Sequence, residues 1–195
     1  MKNRKSIRCL AVSVWICTIG TAQDREGNFP PPETPTVISA VRATGKIDID
    51  GRLDEGDWQL ARPITDFFRV EPQQGGPIKN PTAVRVLYDD KHIYFGVFAS
   101  DSLGKKGVRM QDLRRDFDNG ENDVFGIQID AQNTKQYAVS FQTTPHGNQL
   151  DLQSFNDNNT DEDWNALWRV RSHRTEEGYY AEFAIPFKSI RYDRP

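Results

Sequence analysis

Cysteine is almost absent from this sequence: its 195 residues contain two, Cys9 and Cys17. Both lie within the first 22 residues, so the rest of the chain has no thiol for a disulfide, a zinc–thiolate site or a cysteine nucleophile. Long hydrophobic runs are missing as well, because no stretch reaches the roughly 18 apolar residues that a membrane-spanning helix needs. These absences exclude a disulfide-rich scaffold and a multi-span membrane protein, and we expect no transmembrane span in this chain.

The motifs of common hydrolase mechanisms are missing too. The three histidines, His92, His146 and His173, lie in unrelated contexts, and there is neither a G-x-S-x-G nucleophile elbow nor an H-E-x-x-H zinc motif. Acidic residues are frequent enough to supply the carboxylate pair of a glycoside hydrolase. We therefore expect a non-catalytic domain, with a small glycoside hydrolase as an alternative.

Residues 1–22 have the pattern of a secretory signal peptide. Four basic residues lead into an apolar run at residues 9–20, and Gly20 and Ala22 are small residues at the −3 and −1 positions of a cleavage site. We expect cleavage after Ala22 and export to the periplasm, the cell surface or the medium; a short membrane anchor is the alternative. Removing four basic residues and no acidic one changes the net charge from −3 to −7, which makes nucleic acid a poor candidate partner.

The remainder divides into a linker and a domain of alternating polar and apolar residues. Residues 23–40 contain four prolines and few apolar side chains, which is typical of a linker. Residues 41–192 form the domain, in which residues 53–61 predict a short helical segment with Trp58 and Ala61 on one side. Strands are predicted at residues 46–50, 82–88, 92–99, 123–130, 136–142, 148–153, 166–173 and 178–185.

Short, regularly spaced strands without sustained helical periodicity predict an all-β fold. We expect an antiparallel β-sandwich of the jelly-roll type with short helical turns. The clearest hairpin surrounds the polar turn at residues 89–91, which separates two apolar runs. In the last strand, Tyr179, Ala181, Phe183 and Ile185 share one face and Glu182 points to the other.

Two acidic loops suggest a site for a hard cation such as Ca²⁺. Residues 112–123 concentrate carboxylate and amide side chains around Gly120, and Ca²⁺ takes about six to eight oxygen ligands of this kind. Residues 155–163 are similar. Neither loop matches the EF-hand pattern, and the alternative is a solvated loop whose side chains bond their own backbone. The candidate metal ligands are Asp116, Asp118, Asn122 and Asp123.

Tryptophan is a second candidate for function. Residues 23–195 contain three, Trp58, Trp164 and Trp168. An exposed indole is a flat apolar platform for the C–H face of a pyranose, and nearby amides and guanidinium groups can bond adjacent hydroxyls. Trp164 and Trp168 are four residues apart where an acidic loop enters a strand, so both indoles can point the same way. Packing in the core is the alternative for each of the three, and we expect it for Trp58.

Several short motifs follow one another in a characteristic order along the domain. They are Ile49-Asp50-Gly51, Leu53-Asp54-Glu55, Trp58, Val84-Arg85-Val86-Leu87-Tyr88, Ile93-Tyr94-Phe95-Gly96-Val97, Arg114-Arg115-Asp116, Asn122-Asp123, Asn148-Gln149-Leu150-Asp151, Trp164, Trp168 and Glu182-Phe183-Ala184-Ile185-Pro186-Phe187. The series resembles the carbohydrate-binding module family 9-like domain over roughly residues 41–192. The similarity is greatest to the version at the N-terminus of large exported bacterial proteins, in which an outer-membrane β-barrel region follows.

This resemblance implies a β-sandwich that often binds calcium and that holds sugars between aromatic side chains, at the chain ends of polysaccharides such as xylan or cellulose. By position, Asn165 and Trp168 resemble the Asn-x-x-Trp element of the sugar site. Arg114 or Arg115 resembles its hydroxyl-binding arginine. The candidates for the second aromatic are Trp164, Phe67 and Phe68.

Together these features predict an exported, non-catalytic domain that binds a polysaccharide or oligosaccharide in carbohydrate catabolism, with calcium as a structural cofactor. Trp168 and Trp164 would stack on the sugar, and Asn165 and an arginine would bond its hydroxyls. The alternative is a periplasmic accessory domain that docks onto an outer-membrane barrel or another protein without binding sugar. Because relatives of the larger type continue past the position of Pro195, we expect a truncated product, a fragment or a stand-alone module.

Overall fold

The computed structural model describes residues 37–71, 78–111, 113–156 and 159–190. The expected signal peptide and residues 23–36 of the expected linker lie outside these ranges, as do residues 191 and 192 at the end of the predicted domain. Within the described ranges, no helix is both long enough and apolar enough to cross a membrane.

Nine strands in the described residues form two sheets, which confirms the expected all-β sandwich. The five-stranded sheet has the order β1-β2-β3-β9-β8, and the four-stranded sheet has the order β4-β5-β6-β7. Neighbouring strands are antiparallel except for β1 and β2. The strands are β1 (Val41–Arg42), β2 (Thr82–Tyr88), β3 (His92–Ser100), β4 (Phe125–Ile129), β5 (Tyr137–Thr143), β6 (Gln149–Phe155), β7 (Asn159–Asp161), β8 (Arg169–Thr175) and β9 (Gly178–Pro186).

Helical structure in the described residues is short, as the sequence predicts. The single α-helix, α1 (Gly56–Leu60), lies inside the predicted segment 53–61, and Trp58 and Ala61 are both buried. Two 3₁₀ turns accompany it, at Gly104–Lys106 and Phe187–Ser189.

The predicted hairpin is present as β2 and β3. Its turn is fixed by Asp89, whose Oδ1 accepts the N–H groups of Lys91 and His92, both at 2.7 Å. The other strands predicted after residue 120 are also present, with ends that differ by a few residues. The short strand β7 was not predicted, because its polar residues, all of them exposed, show no apolar alternation.

The main core lies between the two sheets. One face of β9 supplies four side chains to this core, as its alternation predicts, and the four-stranded sheet supplies the opposing layer. The central members are Tyr179, Ala181, Phe183 and Ile185 of β9, Val97 of β3, Val139 and Phe141 of β5, and Val170 of β8.

The other face of β9 is covered by the segment that contains α1. Glu182 projects from this face, is fully buried, and accepts three hydrogen bonds from the segment. Its Oε2 accepts the N–H groups of Asp50 and Gly51, both at 3.0 Å, and its Oε1 accepts Nε1–H of Trp58 at 3.1 Å. Burial raises the pKa of Glu182 to about 7, because the loss of solvent outweighs the hydrogen bonds that favour the carboxylate.

The strand predicted at residues 46–50 is absent. The N–H of Asp48 donates to Oε1 of Glu55 at 2.9 Å, and the N–H of Gly45 donates to Oδ2 of Asp57 at 3.0 Å. The hydrogen bond from Gly45, together with the backbone and side-chain bonds from Thr44, lowers the pKa of Asp57. The prediction was wrong because carboxylates bond the N–H groups that a strand would donate to a neighbouring strand, an arrangement that alternation does not reveal.

Candidate functional site

Two candidate residues, 50 positions apart in sequence, meet near the start of β6. Nη2 of Arg115 donates to Oδ1 of Asn165 at 3.2 Å. Its Nη1 donates to Oε1 of Gln149 at 3.0 Å, and Nη2 also pairs with the carboxylate of Asp151. We call these four residues, Arg115, Gln149, Asp151 and Asn165, the Arg115 cluster.

Asp151 joins the two segments that carry Arg115 and Asn165. It lies opposite Phe141 in the β5–β6 register, so it shares the inward face of the sheet, and it is buried. Its Oδ1 pairs with Arg115, and its Oδ2 accepts the N–H of Ala166 at 2.5 Å. One buried carboxylate therefore ties both the loop before β4 and the connection from β7 to β8 onto β6.

The outer part of the Arg115 cluster presents donors and acceptors in a defined orientation. The amide groups are oriented by second bonds, because Gln149 Nε2 donates to the carbonyl of Trp168 and Asn165 Nδ2 donates to the carbonyl of Asp163, each at 3.0 Å. Asn165 is exposed, and the Arg115 side chain is 40% exposed. Three of the five guanidinium N–H groups are used in these bonds. Of the other two, Nε lies 3.8 Å from Oδ1 of Asp116, which leaves one Nη1–H for a ligand.

Trp164 precedes Asn165 and lies at the side of the cluster. Its indole packs edge-on against Phe141, with ring centroids 6.1 Å apart. The side chain is half-buried, so one part of it belongs to the core and another part is open to solvent.

Trp168 belongs to the core, which corrects the expectation that its indole is open to a sugar. It is 6% exposed, its ring stacks on Phe183 with centroids 5.8 Å apart, and it packs edge-on against Phe141 at 5.3 Å. Trp164 and Trp168 do point the same way, but the shared direction is toward Phe141 in the interior. Trp168 still contributes to the site through its backbone carbonyl, which accepts a hydrogen bond from Gln149 and orients that side chain.

The remaining candidates for the sugar site lie outside the Arg115 cluster. The side chain of Arg114 is exposed, and its carbonyl accepts Nδ2–H of Asn148 at 2.9 Å. Phe67 and Phe68 are both exposed, on a segment whose residue Ile64 bridges to β2 in the five-stranded sheet. Neither phenylalanine belongs to the four-stranded sheet that carries the Arg115 cluster.

The four candidate calcium ligands are engaged close to their own loop. Their contacts are Gly120 N–H to Asp118 Oδ1 (2.8 Å), Gln111 N–H to Asn122 Oδ1 (2.8 Å), Arg109 N–H to Asp123 Oδ2 (2.8 Å), and Arg115 Nε to Asp116 Oδ1 (3.8 Å). In the described part of the chain, no three His, Cys, Asp or Glu side chains are grouped to hold a metal. Asp112 and residues 157 and 158 of the acidic loops lie outside that part. Calcium binding stays a prediction.

Sequence reasoning missed Asp151 and Gln149 as site residues. Both alternate along β6 with leucines that point to the opposite face, namely Leu150 and Leu152. An acidic residue on the inward face of a strand needs a partner, since burying an unpaired carboxylate is costly. That signal predicts a basic residue brought in from elsewhere in the chain, and Arg115 is that residue.

Comparison of the sequence with protein families agrees with this architecture. Residues 49–195 match the model of the carbohydrate family 9 binding domain-like family. The chain belongs to this family. Family 9 modules are non-catalytic binding modules, so the expectation of a domain without enzymatic activity is confirmed. No curated protein matches the sequence.

Two solved structures of family 9 modules from Caldicellulosiruptor kristjanssonii are similar to this family 9 domain. One, in complex with glucose, has a TM-score of 0.52 and 12% identity, over 82% of this chain and 70% of that one. The other, in complex with cellotriose, has a TM-score of 0.48 and 15% identity, over 75% of this chain and 66% of that one. The first match confirms the family 9 fold of the domain.

Proposed function

We propose that this family 9 domain binds a carbohydrate without catalysis, at the Arg115 cluster. Arg115 and Asn165 would bond adjacent hydroxyls of one sugar ring, because a guanidinium group offers paired donors and an amide offers both a donor and an acceptor. The half-buried indole of Trp164 would contact the apolar face of the ring. A site with one partly open indole buries little of the sugar, so we expect modest affinity.

The observation that carries this proposal is the contact between Arg115 and Asn165. The sequence predicted Asn165 and either Arg114 or Arg115 for a sugar site, and Nη2 of Arg115 lies 3.2 Å from Oδ1 of Asn165 although 50 positions separate the two residues. Asp151 and Gln149 hold the guanidinium group before any ligand arrives, so its rotamers need not be fixed on binding. A pre-oriented guanidinium group is suited to bond adjacent sugar hydroxyls.

The sugar class is proposed from the related structure. The similar module from Caldicellulosiruptor kristjanssonii was solved with glucose, so glucose and its β-1,4-linked oligomers are the first ligands to test. Xylo-oligosaccharides form the second series, because their rings have the same equatorial hydroxyls without the exocyclic CH₂OH group.

Isothermal titration calorimetry with both series tests the proposal. We expect Asn165→Ala and Arg115→Lys to weaken binding by about tenfold or more, since each removes hydrogen bonds to the sugar. The matched control is Arg171→Lys, the same substitution on β8, where Nη1 of Arg171 bonds the carbonyl of Val170. A parallel titration with a chelator shows whether calcium contributes.

Two results would contradict the proposed site. Binding that is equal in wild type, Asn165→Ala and Arg115→Lys would place the sugar elsewhere on the domain. If the domain bound neither series of oligosaccharides, nor insoluble cellulose or xylan, the proposal that it binds carbohydrate would be contradicted. Asn165 is exposed, so Asn165→Ala keeps the test informative even if Arg115→Lys loosens the pair with Asp151.

A second candidate function, docking to another protein, is favoured by two exposed leucines. Leu113 is 64% exposed and Leu167 is 74% exposed. Each lies two positions in sequence from a member of the Arg115 cluster, so exposed apolar side chains flank its polar residues along the chain. Protein interfaces combine apolar and polar residues. A partner, such as an outer-membrane barrel, would bind here without any sugar.

We also propose that the domain is exported. The support is the sequence of residues 1–22, with its basic start, apolar run and small residues before Gln23. N-terminal sequencing of the protein recovered from a bacterial periplasmic fraction should begin at Gln23. Recovery of the intact Met1 form from the cytoplasmic fraction alone would contradict export.

A further inference from the structure

A cleft of about 440 Å³ lies beside β8, the edge strand of the five-stranded sheet. It is separate from the Arg115 cluster and shares no residue with it. We call it the basic cleft and define it by its lining residues, Lys105, Pro145, His146, Ser172, His173 and Arg174. They come from β8, from the turn between β5 and β6, and from the 3₁₀ turn at Gly104–Lys106.

The lining of the basic cleft is opposite in charge to the chain as a whole. Lys105 and Arg174 are cationic, whereas no lining residue in the described structure is acidic. The chain as a whole has a net charge of −3. The nearest acidic partner is Glu176, whose Oε1 lies 3.2 Å from Nζ of Lys105 and whose side chain is largely exposed. This contrast indicates a local preference for anions.

The guanidinium group of Arg174 has no hydrogen-bond or ion-pair partner among the described residues. Its side chain is half-buried, and among the described residues it makes no ion pair and no side-chain hydrogen bond. A guanidinium group without a protein partner keeps its donors for an anion. The natural partner is a planar carboxylate, which can accept two parallel hydrogen bonds from the fork.

The walls of the basic cleft are held in place by close backbone contacts. Gly51 has φ of +89°, and a Cβ there would lie 2.8 Å from the carbonyl carbon of Ser172. Gly104 has φ of +56°, and a Cβ there would lie 2.4 Å from the carbonyl oxygen of Glu176. Glycine is required at both positions, and the resulting contacts hold the middle of β8, at Ser172, and the turn that follows it, at Glu176, against their neighbours. The cleft is therefore formed before any ligand binds.

We propose that the basic cleft binds the carboxylate of an acidic saccharide, a chain containing uronic acid. The volume lies within the usual range of about 300–1,000 Å³ for small-molecule sites and accommodates a single sugar ring. Arg174 binds the carboxylate, and Lys105 adds positive charge in the same cleft. Ser172 has its hydroxyl oriented by a bond of 3.2 Å to the carbonyl of Thr144, which leaves the oxygen as an acceptor for a sugar hydroxyl.

Calorimetry with trigalacturonate and its fully methyl-esterified form tests this site. The two ligands differ only at the carboxyl groups, which are charged in the acid and neutral, with an added methyl group, in the ester, so wild-type protein should bind the acid and not the ester. Arg174→Gln and Lys105→Gln should each weaken binding of the acid by about tenfold or more, as expected for the loss of a charge-assisted hydrogen bond. Arg171→Gln is the matched control, because this exposed arginine on the same strand lies outside the cleft.

Three results would overturn the proposal. The first is equal binding of the acid and the ester by the wild type. The second is equal binding of the acid by Arg174→Gln, Lys105→Gln and Arg171→Gln, with the fold of each verified by its thermal melt. The third is binding of sodium sulfate as tight as that of trigalacturonate, which would identify an inorganic-anion site. The effect of Asn165→Ala on neutral-sugar binding tests the Arg115 cluster alone, so its result does not change the interpretation of acid binding at the basic cleft.

Discussion

At the residue scale, the position of Trp168 has a measurable energetic consequence. Its indole is packed between side chains of both sheets, so Trp168→Ala leaves a large cavity beside Phe141 and Phe183. We expect a loss of about 3–5 kcal/mol in the free energy of unfolding, measured by urea denaturation. The neighbouring Leu167, 74% exposed, is the control, and Leu167→Ala should change it by less than about 0.5 kcal/mol. Equal unfolding midpoints for the two variants would show that Trp168 is not a core residue.

Glu182 gives a pH dependence at the same scale. Burial raises its pKa from 4.5 to about 7, so the folded protein binds a proton more tightly than the unfolded chain does. The stability that this proton contributes is fully present below about pH 4.5 and is lost as the pH rises through about 7. We expect the stability of wild type relative to Glu182→Gln to fall over this range in urea denaturation series.

The control for this series is Glu177→Gln, which alters an exposed carboxylate on the turn between β8 and β9. A constant difference between wild type and Glu182→Gln from pH 4.5 to 8 would contradict a raised pKa. A difference that grows in favour of wild type with rising pH would mean that the hydrogen bonds from Asp50, Gly51 and Trp58 outweigh burial.

At the scale of elements, Gly96 in β3 determines how α1 packs on the five-stranded sheet. A Cβ at this position would lie 2.7 Å from Cδ2 of Leu53 and 2.8 Å from Cζ3 of Trp58. Gly96→Ala should therefore cost about 1–3 kcal/mol by forcing the α1 segment away from the strand. Thermal unfolding and the emission of Trp58 measure the effect.

The matched control is Gly126→Ala on β4, another glycine inside a strand. A Cβ there would meet only the side chain of Gln142, with Cγ at 3.3 Å and Cδ at 3.7 Å, and this flexible side chain can move. Similar destabilisation by the two substitutions would show that the contact between β3 and α1 does not limit stability.

Elements differ in how far the sequence predicts them, and the difference has a physical cause. The β2–β3 hairpin was predictable because alternation and turn chemistry act within the same short segment. The alternation at residues 46–50 led to a wrong prediction of a strand. The N–H groups of this segment donate to carboxylates instead: Asp48 to Glu55, seven positions later, and Asp50 to Glu182, 132 positions later. Long-range partners of this kind leave no local signal.

The candidate site shows the same division. The order of motifs indicated Asn165 and left Arg114 and Arg115 as alternatives, whereas the contact between Arg115 and Asn165 depends on Asp151, which joins two distant loops to β6. The burial of Trp168 was not predictable, because a strand places an aromatic residue on one face without revealing which face will be covered. The covering side chains, Phe141 and Phe183, come from different sheets.

At the scale of the whole molecule, Asp151 connects the two sheets through the segment between β7 and β8. It bonds Ala166 in that segment and pairs with Arg115 in the loop before β4. We expect Asp151→Asn to accelerate amide hydrogen exchange about tenfold in the two segments, residues 113–123 and 162–168, while β3 and β9 remain protected. Hydrogen–deuterium exchange with mass spectrometry measures this. Uniform acceleration across the domain, or none, would contradict a local role for Asp151.

The proposed binding of a sugar where Arg115 and Asn165 meet can be tested by side-chain NMR. On titration with cellotriose or xylotriose, we expect concentration-dependent shifts of the Asn165 side-chain amide, the Arg115 Nε–H and the Trp164 indole N–H. The buried indole N–H of Trp58, which donates to Glu182, should not move. Saturable shifts confined to other surfaces, or no shifts with any neutral saccharide, would contradict the claim.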